Sequence, residues 1–347
     1  MRVRDVRNIA RQWVLKEADT LPGFQGAFLT GSITTAPDDD AIFPASSDVD
    51  VKIVLDAPPD TGGPQKVVVS GAILDVSFAP SEEFRSPEMV LGTYYTAVHF
   101  VRPGILLDPS GHLSAIQRIV AQEYPRRVWV RKRAEHACAA VEDVLTWLNP
   151  ATPMQDQVFK LLLPTALATH VVLVADLRNP TIRTCLVAIK KTLAAYGKAP
   201  VHEALLGVLG SASMSREQVN LLQGSCVDAF DVASTIRATP FPYASNIAPY
   251  ARPTAIEGSR EMIDSGYHRE AMFWVAAIHS WCQRVIDYDA SDEVRSRLAP
   301  SYGRLLVELG VPTHEDLAGR IEHLRQLLPG LWNAAEEIIA TNPAIID

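Results

Sequence analysis

The stretch of sequence that decides the fold is Ala27-Phe28-Leu29-Thr30-Gly31-Ser32, followed after a polar loop by Ser47-Asp48-Val49-Asp50-Val51-Lys52-Ile53-Val54-Leu55. The first segment is predicted to be a short buried strand that ends in a Gly-Ser turn. The second begins with Asp-x-Asp and continues as an apolar strand. Side chains at i and i+2 of a strand project from the same face, with Cα atoms roughly 6.6 Å apart. Asp48 and Asp50 are therefore expected to point the same way.

Two neighbouring carboxylates repel each other, and each tends to raise the pKa of the other. A divalent cation between them would remove that repulsion, and Mg²⁺ favours a few carboxylates together with substrate phosphates. The alternative is a solvated loop end, because aspartate is common there. The preceding Gly31-Ser32 favours the metal site.

An apolar strand, a Gly-Ser turn, a spacer and Asp-x-Asp on a second apolar strand together resemble the signature of the nucleotidyltransferase superfamily, which has the DNA polymerase β-like fold. A third carboxylate on a later strand with apolar flanks belongs to that signature. Asp75, within Ile73-Leu74-Asp75-Val76-Ser77-Phe78, supplies it.

The resemblance implies a Mg²⁺-dependent enzyme that transfers a nucleoside monophosphate, with AMP from ATP as the first candidate, and releases pyrophosphate. Ser32 and nearby backbone N–H groups would hold the outer phosphates, and Gly31 would let the backbone approach them. Asp48, Asp50 and Asp75 would bind two Mg²⁺ ions. Asp75 would complete the second metal position or accept a proton from the attacking hydroxyl.

The sequence departs from the commonest pattern of that family after Ser32. Many members have a basic residue there, whereas this chain has Ile33-Thr34-Thr35-Ala36 and then a long spacer. A helix predicted to run from Asn179-Pro180 to Gly197 would carry Arg183 and Lys190 on one face, within reach of a triphosphate. A solvated face is the competing and favoured interpretation, and Arg131-Lys132-Arg133 is a weaker candidate for the same task.

The rest of the pattern predicts an α+β protein. Residues 1–112 are expected to form a nucleotidyltransferase domain with a small mixed sheet, and residues 113–347 an all-helical substrate-binding domain. Residues 67–78 are predicted to form a tight hairpin around Ser70-Gly71. Helices are predicted over 3–19 and over 87–99, and residues 239–258, which contain four prolines, should not form a regular helix.

The bulk composition indicates the class of protein, the cellular compartment and the kind of partner to expect. The chain has 347 residues, of which 48% are hydrophobic and 21% charged, as expected of an ordinary globular protein. We expect neither a membrane span nor a signal peptide, and the four widely separated cysteines suggest a reducing, cytoplasmic compartment. A net charge of −8 argues mildly against a nucleic-acid partner and suits a small cationic substrate.

A nucleotidyltransferase domain followed by a helical domain of this size is similar to the aminoglycoside nucleotidyltransferases of antibiotic resistance, in which the acceptor lies between the two parts. Aminoglycosides are polycations, so Asp38–Asp40 or Glu82-Glu83 would suit such an acceptor. Two alternatives stay open. The first is a toxin-like nucleotidyltransferase that acts on RNA ends or protein side chains, and the second is a non-catalytic nucleotide-binding or interaction module.

Overall fold

The computed structural model describes residues 1–36, 38–59, 65–145 and 151–347, with only the backbone of Gln65. The chain divides into two compact units. The first comprises Met1–His136, Leu177–Asn179 and Asn342–Asp347, and the second comprises Ala137–Asp176 and Pro180–Thr341. The first unit thus extends past residue 112, because the helix after that position packs on the sheet.

The first unit contains a five-stranded mixed sheet, which confirms the α+β fold class and the predicted small sheet. The strand order is β3-β4-β2-β1-β5, with β2 and β4 parallel and the other described pairs antiparallel. The strands are β1 (Phe24–Leu29), β2 (Val49–Leu55), β3 (Gln65–Val69), β4 (Ala72–Pro80) and β5 (Ile105–Leu107). The predicted hairpin is also present, since β3 and β4 pair around Ser70 and Gly71, both at positive φ.

The two faces of the sheet differ because side chains alternate along each strand. On β2, Val49, Val51 and Ile53 are buried against the apolar side of the first helix. The opposite face begins with Asp50 and Lys52, and further along it Val54 packs into an aromatic cluster. One face is therefore core, whereas the other is polar where β2 begins.

The helices of the first unit cover both faces. They are α1 (Val3–Trp13), α2 (Pro87–Gly92), α3 (Tyr94–Ala97), α4 (His112–Glu123) and the start of α5 (Arg127–Leu145). α1 continues as a π-helical turn, Val14–Ala18, within the predicted 3–19 segment. Ser86 caps α2 as its sequence suggests, but the predicted 87–99 helix is interrupted at Thr93, whose extended backbone separates α2 from α3.

The rest of the chain is mostly helical, as predicted. Its helices are α6 (Met154–Ala175), α7 (Cys185–Ala195), α8 (Ala199–Leu209), α9 (Arg216–Ile236), α10 (Gly258–Asp264), α11 (His268–Asp289), α12 (Asp292–Leu309) and α13 (His314–Thr341). Residues 239–258 form short 3₁₀ and π turns instead of a regular helix, and Tyr243 stacks there on Trp281 at 4.8 Å between ring centroids.

The predicted start of a helix at Asn179-Pro180 is wrong. The helix begins at Cys185, and Thr184 is its N-cap. Asn179 belongs to the first unit, where its side chain donates a hydrogen bond to Gly31 O at 3.2 Å instead of capping a helix. A long-range contact has therefore overridden a local capping signal.

The expected absence of a membrane span is to be compared with the one described helix that has the length and composition of such a span. Among the described helices, α6 meets that requirement, with a mean hydropathy of 1.9 over an 18-residue window. Inside the structure 83% of that window is buried, as is usual for the core helix of a soluble protein. Its apolar surface is covered by protein.

Candidate active site

A transverse row of polar residues crosses one face of the sheet. Asp50 on β2 is the register partner of Asp75 on the parallel strand β4, and Asp75 is the partner of Lys66 on the antiparallel strand β3. On the other side of Asp50, the backbone N–H of Thr30 donates to Asp50 O at 2.9 Å. The sheet thus aligns two of the predicted carboxylates with the Gly-Ser turn.

Lys66 joins the third carboxylate to this row. Its ammonium group forms ion pairs with Asp48 Oδ2 and with Asp75 Oδ2, and its side chain is only 2% exposed. Asp48, Asp50 and Asp75 therefore lie in one cluster around a buried lysine. A buried ammonium needs such partners, because desolvation of an unpaired charge is costly.

Lys66 was not among the predicted site residues, although the sequence contains a signal for its position. A two-residue turn at Ser70-Gly71 pairs residue 69 with residue 72. Counting back along the hairpin then places Lys66 opposite Asp75. Counting register as well as locating the hairpin would have identified it.

The pKa shifts show that the cluster is short of positive charge. Burial, together with the charges of Asp48 and Asp75, raises the pKa of Asp50 to about 8. Burial also raises the pKa of Asp75, despite the opposing effect of Lys66. Desolvation alone would lower the pKa of Lys66, but attraction to Asp48 and Asp75 outweighs it and raises that pKa above its ordinary value. At neutral pH Asp50 thus retains a proton, in the absence of another cation.

Gly31 lies directly against Asp50. Its φ of +67° is in the left-handed region, and a Cβ added there would be 2.7 Å from Asp50 Cγ. A 3₁₀ turn, Gly31–Thr35, begins at this residue, and Ser32 in its second position is exposed. The carbonyl of Gly31 accepts hydrogen bonds from Thr34 Oγ1 at 2.8 Å and from Asn179 Nδ2. The turn is therefore fixed on both sides, with Ser32 outermost.

A cavity of about 260 Å³ continues along the same face from Asp50. Lys52, two residues further along β2, lines it together with Glu83, Tyr95 and His99. Burial lowers the pKa of Lys52, while the nearby carboxylates oppose that shift. Burial and the charge of Lys52 lower the pKa of His99 to about 3, so its imidazole is neutral. His99 Nδ1 lies 3.3 Å from Thr34 Oγ1, so a residue that lines the cavity contacts the turn that begins at Gly31.

Lys190 and Arg183, the predicted phosphate-binding cations, both belong to the second unit. Lys190 Nζ lies 2.7 Å from Glu270 Oε1, a carboxylate that is 1% exposed. Arg183 precedes α7 and packs against Gly258, where an added Cβ would be 3.0 Å from Arg183 Cζ. The prediction that the two residues share a helix face is therefore wrong, because the helix begins two residues after Arg183.

Most of the acidic residues suggested for a cationic acceptor form ion pairs with nearby arginines. Asp40 pairs with Arg2 at 2.9 Å and with Arg4 at 2.7 Å, and Asp39 lies 3.4 Å from Arg7. Glu82 pairs with Arg85, whereas Glu83 lines the cavity beside Lys52. Among these residues, Glu83 is the one that lines the cavity.

The donor set of the carboxylate cluster fits Mg²⁺. Carboxylate oxygens are the ligands that this ion prefers, and Asp75 Oδ1 is buried without a hydrogen-bond partner. Within the described residues, no group of three or more His, Cys, Asp or Glu side chains is arranged to hold a metal ion. Lys66 pairs with two of the three carboxylates instead. The three side chains are of the type that Mg²⁺ prefers, but in this arrangement Lys66 takes the place of a cation beside Asp48 and Asp75.

In comparisons with known proteins, no family model matches the chain, and no curated protein matches it at a significant level. The carboxylate row, the glycine turn and the buried lysine are therefore the observations from which a function can be inferred.

Proposed function

We propose that this protein is a Mg²⁺-dependent nucleotidyltransferase. It would transfer a nucleoside monophosphate, with AMP from ATP as the first candidate, to a hydroxyl of a small acceptor, for which a cationic molecule is the first candidate. This proposal extends the resemblance of the Gly31-Ser32 and Asp48-x-Asp50 pattern to the nucleotidyltransferase superfamily.

One observation carries the proposal. Asp50 and Asp75 are register partners on parallel strands, Asp48 reaches the same cluster through Lys66, and the Gly31 turn lies directly against Asp50. Three carboxylates beside a turn that exposes Ser32 are the groups that binding of a metal–triphosphate complex requires. A structural role alone explains the cluster poorly, because grouped buried carboxylates cost folding energy.

Each residue then has a distinct role. Asp48, Asp50 and Asp75 would hold the metal, which when bound supplies positive charge opposite the entering and leaving oxygens. Ser32 and the N–H groups of its turn would bind the outer phosphates, and Gly31 keeps that backbone close to Asp50. The residues thus place phosphates and carboxylates on the same side of the sheet.

The proposed reaction is an in-line displacement at the α-phosphorus. The acceptor hydroxyl forms the new O–P bond, the bond from the α-phosphorus to the bridging oxygen breaks, and pyrophosphate leaves. The hydroxyl proton passes to a carboxylate. Asp75 Oδ1 is suited to accept it, because it is buried and has no hydrogen-bond partner of its own.

In this proposal the first unit is the nucleotidyltransferase domain, and the second, helical unit contributes to acceptor binding. The acidic overall charge favours a cationic acceptor over nucleic acid. Lys190 and Arg183 stay candidates for nucleotide contacts, although the helix face that they were predicted to share is not formed. The cytoplasm is the proposed location.

A labelling experiment tests the proposal. The protein is incubated with Mg²⁺ and each α-³²P-labelled nucleoside triphosphate, together with aminoglycosides, total RNA or lysate protein, and the labelled products are separated. We expect label in a small-molecule product, with release of pyrophosphate. Label on RNA or protein would instead identify the toxin-like alternative. No labelled product, together with no triphosphate binding by calorimetry, would exclude both enzymatic functions.

A second candidate is a non-catalytic nucleotide-binding module, and Lys66 is the observation that favours it. A lysine that stays paired with Asp48 and Asp75 would keep a divalent cation out and leave a stable but inactive cluster. Metal binding by the wild-type protein distinguishes the two candidates.

A further inference from the structure

Lys66 lies on β3, the edge strand of the sheet, yet its side chain turns inward. Val67 and Val69 pack against the core on one face, so Lys66 and Val68 project from the other. Val68 is 54% exposed, whereas the Lys66 side chain is 2% exposed. The ammonium group is thus held in the cluster by its charge partners, on a strand where a lysine would ordinarily extend into solvent.

The ammonium group and a divalent cation would compete for the same atoms. Lys66 pairs with the Oδ2 oxygens of Asp48 and Asp75, which are two of the proposed metal-binding carboxylates. A cation bound there would repel an ammonium group a few ångströms away. A metal on the remaining oxygens, such as Asp75 Oδ1, would be subject to that repulsion, which withdrawal of Lys66 relieves. The four-carbon side chain allows this without a change in the backbone.

Phosphates bound at the Gly31 turn would be a favourable destination for a withdrawn Lys66. The turn after Ser32 contains Ile33, Thr34 and Thr35 and has no basic residue of its own, although Arg7 donates a hydrogen bond to Ile33 O at 3.1 Å. Lys66 lies in the same transverse row as Asp50, which is next to that turn. An ammonium group released from carboxylates is well suited to bind phosphate oxygens.

We propose that Lys66 is a resident counter-ion of the carboxylate cluster, which a divalent cation displaces and which then binds the phosphates of the nucleotide. This inference rests on the proposed function, because it assumes that the cluster binds a metal. It also explains how three carboxylates can be held together before the metal arrives.

The first part of the proposal, that a divalent cation displaces Lys66, is tested by metal binding without nucleotide. Mn²⁺ affinity is measured by calorimetry for the wild type, Lys66→Met and Lys66→Arg, with Lys16→Met as a control that removes an exposed lysine far from the cluster in sequence. We expect Lys66→Met to bind Mn²⁺ about tenfold more tightly or better, because a competing unit charge is gone. Lys66→Arg and Lys16→Met should remain near the wild type.

A labelling measurement on the wild type needs no variant and therefore does not depend on whether Lys66→Met folds. An amine-acylating reagent is applied with and without Mn²⁺ and ATP, and the modified lysines are quantified by mass spectrometry. We expect Lys66 to react severalfold faster with Mn²⁺ alone and to be protected again when ATP is added. Lys16, whose side chain is 82% exposed, should react equally in all conditions.

The outcomes separate the two proposals. Equal Mn²⁺ affinity of the wild type and Lys66→Met, with Lys66 labelled equally in all conditions, would overturn the counter-ion role and leave the metal site intact. If neither protein binds Mn²⁺, the proposed function fails, and the role of Lys66 fails with it. If Mn²⁺ binds more tightly to Lys66→Met but the Mn²⁺-dependent ATP affinity is unchanged, the phosphate-binding half is wrong.

Discussion

Gly31 and Asp50 approach each other so closely that no side chain fits at position 31. A Cβ there would be 2.7 Å from Asp50 Cγ and 3.3 Å from Asp50 Cβ, and the φ of Gly31 is +67°. The turn that exposes Ser32 and the strand that carries Asp50 are therefore in direct contact. Glycine at this position allows backbone and carboxylate to share one small region.

Gly31→Ala should destabilise the protein for two separable reasons. The left-handed conformation costs a non-glycine residue about 1–2 kcal/mol, and the clash with Asp50 adds about 1–3 kcal/mol. Gly71→Ala is the matched control, because Gly71 has a φ of +82° but nothing within 4 Å of an added Cβ. Urea denaturation should show the larger loss for Gly31→Ala. Equal losses would mean that the contact with Asp50 is relaxed in solution.

Asp50→Asn should flatten the dependence of stability on pH when no divalent cation is present. The pKa of Asp50 rises from 3.8 to about 8 on folding, so between these values the folded state holds a proton that the unfolded state has lost. The stability of the wild type should therefore fall as pH rises through this window. Asparagine does not titrate, so thermal melts of Asp50→Asn from pH 4 to 8 should lack this contribution.

Asp50→Asn should also abolish nucleotidyl transfer. Its thermal midpoint at neutral pH should stay near or above that of the wild type. Asp48→Asn should also abolish transfer, but it should lower the thermal midpoint, because it removes one of the two carboxylate partners of the buried Lys66. Asp19→Asn, at an exposed position, serves as the control for both. Wild-type transfer rates in either cluster variant would show that the metal site has been misplaced.

Lys66→Met should be destabilised in the presence of a chelator. Removing one partner of a buried ion pair costs about 3–5 kcal/mol, and Lys66 has two carboxylate partners. Asp75→Asn in the same chain should recover part of the loss, which a double-mutant cycle measures. Mg²⁺ should also raise the melting temperature of Lys66→Met more than that of the wild type. An additive double mutant would show that the ion pair contributes nothing.

Asn179→Ala should weaken the Gly31 turn. The change removes the hydrogen bond from Asn179 Nδ2 to Gly31 O, which is worth about 0.5–1.5 kcal/mol. Thr34→Val removes the other donor to the same carbonyl. Each single variant should lower triphosphate affinity in calorimetry, and the double variant should lose more than either. An unchanged triphosphate affinity in the double variant would show that this turn does not take part in nucleotide binding.

Lys190→Met tests the nucleotide-binding prediction for the helical unit. Its loss leaves the buried Glu270 with His202, whose Nε2 lies 3.4 Å from Glu270 Oε1, at a cost on the order of 2 kcal/mol, below the usual range because Lys190 is partly exposed. Adding Glu270→Gln should restore stability. If ATP affinity stays low in this stable double variant, Lys190 contacts the nucleotide. If affinity returns with stability, the role of Lys190 is structural.

Much of the first unit was predictable because its signals are local. Alternation along β2 placed Asp50 on the face opposite the core, with Asp48 directly before the strand, and Ser70-Gly71 predicted the hairpin that brings Asp75 into the sheet. The Asn179 prediction failed for the opposite reason. Its capping signal was local, but the partner that its side chain found, Gly31, lies 148 residues away in sequence.

The sequence by itself determined the carboxylates, the glycine turn and the α+β class, because strand periodicity and turn chemistry act over a few residues. Only the tertiary structure decided that Asp50 and Asp75 would be neighbours on parallel strands, since parallel pairing depends on how the sheet assembles. It also decided that Lys66 would be buried between Asp48 and Asp75. Burial is a property of the assembled face, and there the attraction of two carboxylates outweighs the desolvation of the ammonium group.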